Sequence, residues 1–288
     1  MFSFDSPAAA AGTLTLGAEL TVNRLGYGAM RLAGPGVWGP PVDPAAAVTL
    51  LKRVIAGGVN FIDTSDAYGP HTNETLIAEA LYPYPAGLVI ATKGGLVRNG
   101  PDHWGVKADP VTLRAACEGS LQRLRLDTID VYQLHAVDPH VPIEESVGAL
   151  ADLQIAGKIR AIGLSNVTLE QLDRAREVTD IASVQNRYNI YDRSSDDVLR
   201  RCEQLGIPFL PWFPLAMGQV AQRQAVLAKI AHAHQASQTQ IALAWLLQRS
   251  PIMLPIPGTA SLAHFEENLA AASLALTPDE YQLLTAEL

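Results

Sequence analysis

Residues 44–69 read PAAAVTLLKRVIAGGVNFIDTSDAYG. Apolar side chains recur at helical spacing up to Ala56, with Asp43 placed as N-cap, Pro44 at the first helical position and Gly57-Gly58 as the stop. A short apolar run, Val59 to Ile62, follows and ends on an ionisable residue, Asp63. Its near-continuous apolar character is that of a strand covered on both faces. Helix, glycine stop, buried strand and polar loop together make one unit of an alternating α/β chain.

The unit recurs to either side. Strand candidates lie in LGYGAM (25–30), VNFIDTS (59–65), LVIATK (88–93), IDVYQLH (129–135), RAIGLS (160–165), SVQNRY (183–188), PFLPWF (208–213) and IMLPIPG (252–258), with helical patterns between them. Eight strands alternating with helices every roughly 20–45 residues predict a (β/α)8 TIM barrel over a doubly wound sheet. Residues 13–22, TLTLGAELTV, alternate apolar and polar around a Gly-Ala-Glu break and predict an N-terminal β-hairpin. No low-complexity linker interrupts the chain, so residues 1–288 read as a single domain. The stretch Gly34 to Gly39 satisfies G-x-G-x-x-G, but Pro40 and Pro41 follow at once, where a dinucleotide-binding turn needs its helix to begin. Stretches 34–41 and 99–110, rich in Pro and Gly, read as loops after strands one and three, at the rim where barrel active sites form.

Composition narrows the function classes. With 48% hydrophobic and 17% charged residues among 288, area scaling gives roughly 12,000 Å² of folded surface against roughly 45,000 Å² unfolded. No metal or disulfide staple is required. Twenty-nine acidic against 21 basic side chains leave a formal charge of -8, the wrong sign for nucleic acid or an anionic membrane. Cys117 and Cys202 are far apart, each in a helical run, and read as buried free thiols. The first basic residue is Arg24, and no apolar run approaches the roughly 18 residues of a membrane span, so a cytoplasmic protein is expected.

Asp63, Lys93 and His135 each close an apolar strand, and Tyr68 follows in the loop after Asp63. One such residue is explained as a solvated strand end; four at successive strands are better explained by convergence on one rim. Their chemistry is coherent. An ammonium beside a phenol favours the phenolate and makes the hydroxyl a usable general acid, so Lys93 is expected to lower the pKa of Tyr68. A buried ammonium needs a carboxylate, and Asp63 is the candidate. His135 can donate an N–H to a carbonyl oxygen.

NFIDTSDAYG, ATKGG, DVYQLHAVD, IGLSN, VQNRYN and PIPGTASLAHFEENLAA occur in that order, and the chain resembles the aldo/keto reductases. The resemblance implies an NADPH-dependent enzyme that reduces an aldehyde or ketone by hydride transfer, with Asp63, Tyr68, Lys93 and His135 as its catalytic tetrad. It assigns Ser165, Asn166 and Gln185 to the nicotinamide amide, and Trp212 to its ring, where the family usually has tyrosine. Gly258, Thr259, His264, Glu267 and Asn268 fall to the adenosine end. Gly28, Ala29, Met30, Phe213, Leu215, Gly218 and Ile256 complete the implied cofactor contacts. Read from the residues alone, Ser165 and Asn166 are equally helix caps, Trp212 a core aromatic, and Glu267 and Asn268 polar helix-face positions.

The chain departs from the family where many members carry a lysine and an arginine on the ribose 2′-phosphate. Here those positions hold Gly258 and His264, which weakens the preference for NADPH and leaves NADH open. Trp38 and Trp104 lie in the rim loops and are expected either to wall a substrate pocket or to pin their own loops. The stretches NRLGYGAMRLAGPGVWGPP and ALAWLLQRSP look most like bacterial members related to pyridoxal reductases, which makes pyridoxal a specific candidate substrate. Only 20 residues follow Asn268, too few for a long flap, so an open site is expected. The resemblance implies a monomer. Two other readings stand beside the reductase: a nicotinamide-binding sensor with little turnover, and a phosphate-binding isomerase or aldolase using Lys93 as a Schiff-base amine.

Overall fold

The structure is a computed structural model that describes residues 6–215 and 225–288. The chain enters through an antiparallel hairpin, β1 (Thr13–Leu16) and β2 (Leu20–Asn23), paired from Thr13↔Asn23 to Leu16↔Leu20. Then β3 (Tyr27–Gly28), β4 (Phe61–Asp63) and β5 (Val89–Gly94) run parallel. After a second hairpin, β6 (Leu96–Gly100) with β7 (His103–Val106), the barrel resumes with β8 (Ile129–Leu134), β9 (Ile159–Ser165), β10 (Ser183–Arg187) and β11 (Phe209–Trp212). The parallel sheet has the order β11-β10-β9-β8-β5-β4-β3.

The eighth predicted strand closes this sheet as an extended segment. Met253 pairs parallel to Phe209, Leu254 N–H donates to Phe209 C=O at 2.9 Å, and Gly26 N–H donates to Pro255 C=O at 2.9 Å. Pro251, Pro255 and Pro257 have no N–H to give, so the ladder there is sparse on both sides. A (β/α)8 barrel with an N-terminal hairpin results, as the spacing predicts.

Helices α1 (Pro44–Ala56), α2 (Thr72–Leu81), α3 (Pro110–Leu124), α4 (Ile143–Ile155), α5 (Leu169–Val178), α6 (Asp196–Leu205), α7 (Ala225–Ala233), α8 (Gln238–Arg249), α9 (Leu262–Ala270) and α10 (Pro278–Glu287) coat the barrel. The Asp43 carboxylate caps α1 by accepting from Ala46 N–H at 2.9 Å, and Gly206 ends α6 at φ 67°, a left-handed position that favours glycine. Leu16, Leu20 and Val22 of the hairpin pack against Phe61, Val89, Val131 and Leu210 and so plug one end of the barrel interior. The other end is left for polar side chains. Two larger apolar layers lie between strands and helices.

One local reading changes and one holds. Residues 99–110 are not simply a loop: the alternating run from Leu96 pairs with His103–Val106 around a Pro101-Asp102 turn, Asp102 taking φ 56°. The Gly34–Gly39 stretch forms a single 3-10 turn, Pro35–Val37, well short of α1. Cys117 and Cys202 are buried and unpaired, and burial pushes both thiols up to about 12. Among the described residues no helix is long and apolar enough to cross a membrane.

Candidate active site

Parallel register carries the strand-end residues to one rim. Gly28 pairs with Asp63, Asp63 with Ala91, and Lys93 with Gln133. Lys93 is fully buried; its Nζ donates to Asp63 Oδ2 at 2.7 Å and to Thr64 C=O at 2.8 Å. It also lies 5.3 Å from the centre of the Tyr68 ring. Tyr68 meets His135 edge to face, their centroids 5.8 Å apart. The three strand-end residues Asp63, Lys93 and His135 and the loop residue Tyr68 therefore form one cluster.

Asp63 holds more than the lysine. Its Oδ1 accepts from Gln133 Nε2 at 3.1 Å and from Gln185 Nε2 at 2.8 Å. Three donors keep this buried carboxylate satisfied. Ammonium and carboxylate thus neutralise each other, and the expected depression of the phenol does not occur. Burial first, then the Asp63 and Asp66 carboxylates, push Tyr68 well above the usual tyrosine value. His135 goes the other way: burial and the Lys93 charge hold it well below the usual histidine value, so the imidazole is neutral. Its Nδ1 lies 3.0 Å from Ser65 Oγ.

Asp63, Tyr68 and His135 open into a cavity of about 940 Å³. Gly28, Met30, Ser165, Asn166, Gln185, Trp212, Phe213, Leu215, Ile256, Gly258, Thr259, His264, Glu267, Asn268 and Trp104 all line it. Ala29 does not; it is buried, and its C=O accepts from Asn73 Nδ2 at 2.8 Å. Trp38 is also outside the lining, standing 37% exposed with Arg98 5.7 Å from its ring. Gly218 lies outside the described residues. Ser165 and Asn166 are not helix caps: Thr168 caps α5 with a reciprocal pair to Gln171. The Asn166 amide is engaged within the protein, donating to His135 C=O at 3.0 Å and accepting from Trp212 Nε1 at 2.9 Å. Asn166 thus fixes the Trp212 indole at the cavity wall.

Several lining or supporting residues escaped the sequence reading. Arg31 lines the cavity near Gly258 and adds a cation there. Arg98 lies 3.7 Å from the Trp104 ring and donates to the carbonyls of Gly36, Val37, Ala67, Gly100 and His103. No spacing rule marks an arginine that works on backbone carbonyls. Gln133 sits mid-strand between apolar neighbours, and a buried polar residue there was a usable signal. Among the described residues no group of three or more His, Cys, Asp or Glu could hold a metal ion.

The donor set fits a nicotinamide dinucleotide. The Trp212 indole and the Ser165 hydroxyl share the cavity with Tyr68 and His135, and Gly258, Thr259 and His264 at the start of α9 also line it, where backbone N–H groups suit phosphate. A family model described as the aldo/keto reductase family matches residues 24–287. The chain is 46% identical over 273 residues to pyridoxine 4-dehydrogenase of Escherichia coli, a match covering 93% of this chain and 95% of that protein. Its fold is similar to that of a glycerol dehydrogenase from Gluconobacter oxydans, with a TM-score of 0.88 at 27% identity over 96% of this chain and 95% of that one. An aldo-keto reductase from Klebsiella pneumoniae, crystallised in complex with NADPH, gives a TM-score of 0.81 at 29% identity over 95% and 94% of the two chains. With its cluster of strand-end residues, its barrel and a family match over nearly all its length, this chain belongs to the aldo/keto reductase family.

Proposed function

We propose that this protein reduces the carbonyl group of an aldehyde or ketone to the alcohol, using NADPH, and that pyridoxal is its specific substrate candidate. The observation that carries the reading is the buried Lys93–Asp63 pair beneath a phenol and a neutral imidazole that share one cavity. When bound, the reduced nicotinamide supplies the hydride. Ser165 and Gln185 would meet its amide and Trp212 its ring; Thr259, His264, Glu267 and Asn268 would hold the adenosine end, with Arg31 and the α9 start toward phosphate.

Tyr68 gives its proton to the oxygen that gains negative charge. An alkoxide is far more basic than a phenolate, so this transfer is downhill even from a phenol whose pKa is raised. A tyrosine is protonated at neutral pH even at its ordinary value, so Tyr68 carries its proton until the alkoxide forms. Lys93 lies near the ring that then bears the negative charge, and Asp63 keeps that ammonium protonated and in place. His135 orients the carbonyl oxygen. Trp104, edge-on to Tyr68 at 6.5 Å, walls the substrate side.

The pyridoxal assignment is supported by the E. coli relative, whose name specifies pyridoxine as its substrate. It is tested by kcat/KM for pyridoxal against a simple aromatic aldehyde. A preference of tenfold or more, about 1.4 kcal/mol, is expected; equal values remove pyridoxal and leave the broader reading. The same comparison between NADPH and NADH tests the cofactor, and a preference for NADH contradicts it.

A further inference from the structure

We propose that Asp66 is a positioning residue that sets, through the Ser65 hydroxyl, which ring nitrogen of His135 carries the proton. The inference deepens the reading of His135 given above and rests on it for its catalytic consequence. Ser65 and Asp66 are both buried and do not line the cavity. Ser65 Oγ lies 3.0 Å from His135 Nδ1 and 3.2 Å from Asp66 Oδ1, and accepts from Ala67 N–H at 3.1 Å.

A hydroxyl has one proton and two lone pairs. Ala67 takes one lone pair, which leaves one donor and one acceptor for two neighbours. With Asp66 ionised, the Ser65 proton points to the carboxylate, so Nδ1 must donate and Nε2 is bare. With Asp66 protonated, the carboxyl donates to Ser65, Ser65 donates to Nδ1, and the imidazole proton sits on Nε2. The imidazole holds one proton in both states; the net proton gained resides on Asp66. Only the second state offers an N–H to a carbonyl oxygen. The first offers a lone pair, which suits an alcohol O–H instead.

The surroundings place this exchange near neutrality. Burial and the neighbouring Glu74 carboxylate push Asp66 up to about 7, against Ser65 and the Arg123 guanidinium. Arg123 is itself paired to Glu74 at 2.7 Å. Lys93, Asp63, Tyr68 and Tyr132 are other charged or titratable groups around the pair, and the His71 backbone N–H donates to the Asp66 backbone C=O at 2.8 Å.

The test is nitrogen-15 NMR of the His135 ring in the whole protein from about pH 5.5 to about pH 9, where protonated and bare ring nitrogens are well separated. A change from Nε2–H to Nδ1–H centred near neutral pH is expected, and it should vanish in both Asp66→Asn and Ser65→Ala. In parallel, reductive kcat/KM of the wild type should fall by about 10²-fold over the same step. A single His135 tautomer throughout, or a step that survives in either variant, overturns the proposal. The ring signal needs no turnover, so the relay and the reductase reading fail separately.

Discussion

Lys93 is the residue on which the cluster turns, because a wholly buried ammonium persists only where a carboxylate and further acceptors meet it. Asp63→Asn leaves that charge uncompensated and is expected to destabilise the fold by about 3–5 kcal/mol, measured by urea unfolding. Tyr68→Phe removes a hydroxyl at the cavity and nothing from the ion pair, so it should lower kcat by about 10²–10⁴-fold while the affinity for NADPH, measured by calorimetry, stays within about twofold. Asp66 predicts a pH effect on stability. Its carboxyl binds a proton more tightly in the folded chain, at about 7 against 3.8 unfolded. Stability contributed by the protonated form is therefore full below about pH 4 and lost as pH rises toward 7, on the order of a few kcal/mol. Asp66→Asn should flatten that decline in unfolding curves collected across the range. At this scale the sequence was legible where a polar residue ended an apolar run, as at Asp63, Lys93 and His135. The direction of the Tyr68 shift was not, because it is set first by how deeply the phenol is buried and then by the Asp63 and Asp66 carboxylates around it.

The β6–β7 hairpin shows what patterning alone leaves open. A Pro- and Gly-rich stretch reads as loop, yet Leu96 to Val106 pairs with itself and carries Trp104 over Tyr68. Arg98 joins this hairpin to the Gly36-Val37 turn and to Ala67, next to Tyr68 in the chain. Arg98→Ala should loosen the wall and raise KM for the carbonyl substrate by about tenfold with kcat changed less, since the reacting residues keep their contacts. Gly28 and Gly258 mark the other side, where β3 meets the closing segment. A methyl group on Gly258 would stand 2.8 Å from Gly28 C=O. Gly258→Ala should therefore weaken NADPH binding more than it slows chemistry, which cofactor titration and kcat of the wild type and this variant would measure. That closing segment was legible as a strand from its apolar run, but its proline-limited pairing appears only once Phe209 and Gly26 lie on either side.

The whole molecule is a barrel plugged at one end by its own hairpin, with Asp63, Tyr68 and His135 opening into the cavity at the other. The alternation of eight apolar runs with helices made this architecture legible, because strand burial on both faces leaves a pattern that few other folds share. The cavity's full lining was not legible: Trp104 was marked by its place in a rim stretch, but Arg31 reaches the cavity from the short 3-10 turn Ala29–Leu32, where no motif marks it. A dinucleotide bound across this lining engages only the folded state. NADPH at a hundred times its Kd should add about 2.7 kcal/mol of stability, seen as a raised melting temperature. The most direct measurement mixes the purified protein with NADPH and pyridoxal and follows cofactor oxidation, in wild type and in Tyr68→Phe. Steady oxidation with the alcohol as product, abolished in the variant while both proteins bind NADPH equally, is the expected result. Binding without oxidation across a panel of aldehydes and ketones, or equal turnover by the two proteins, would contradict it.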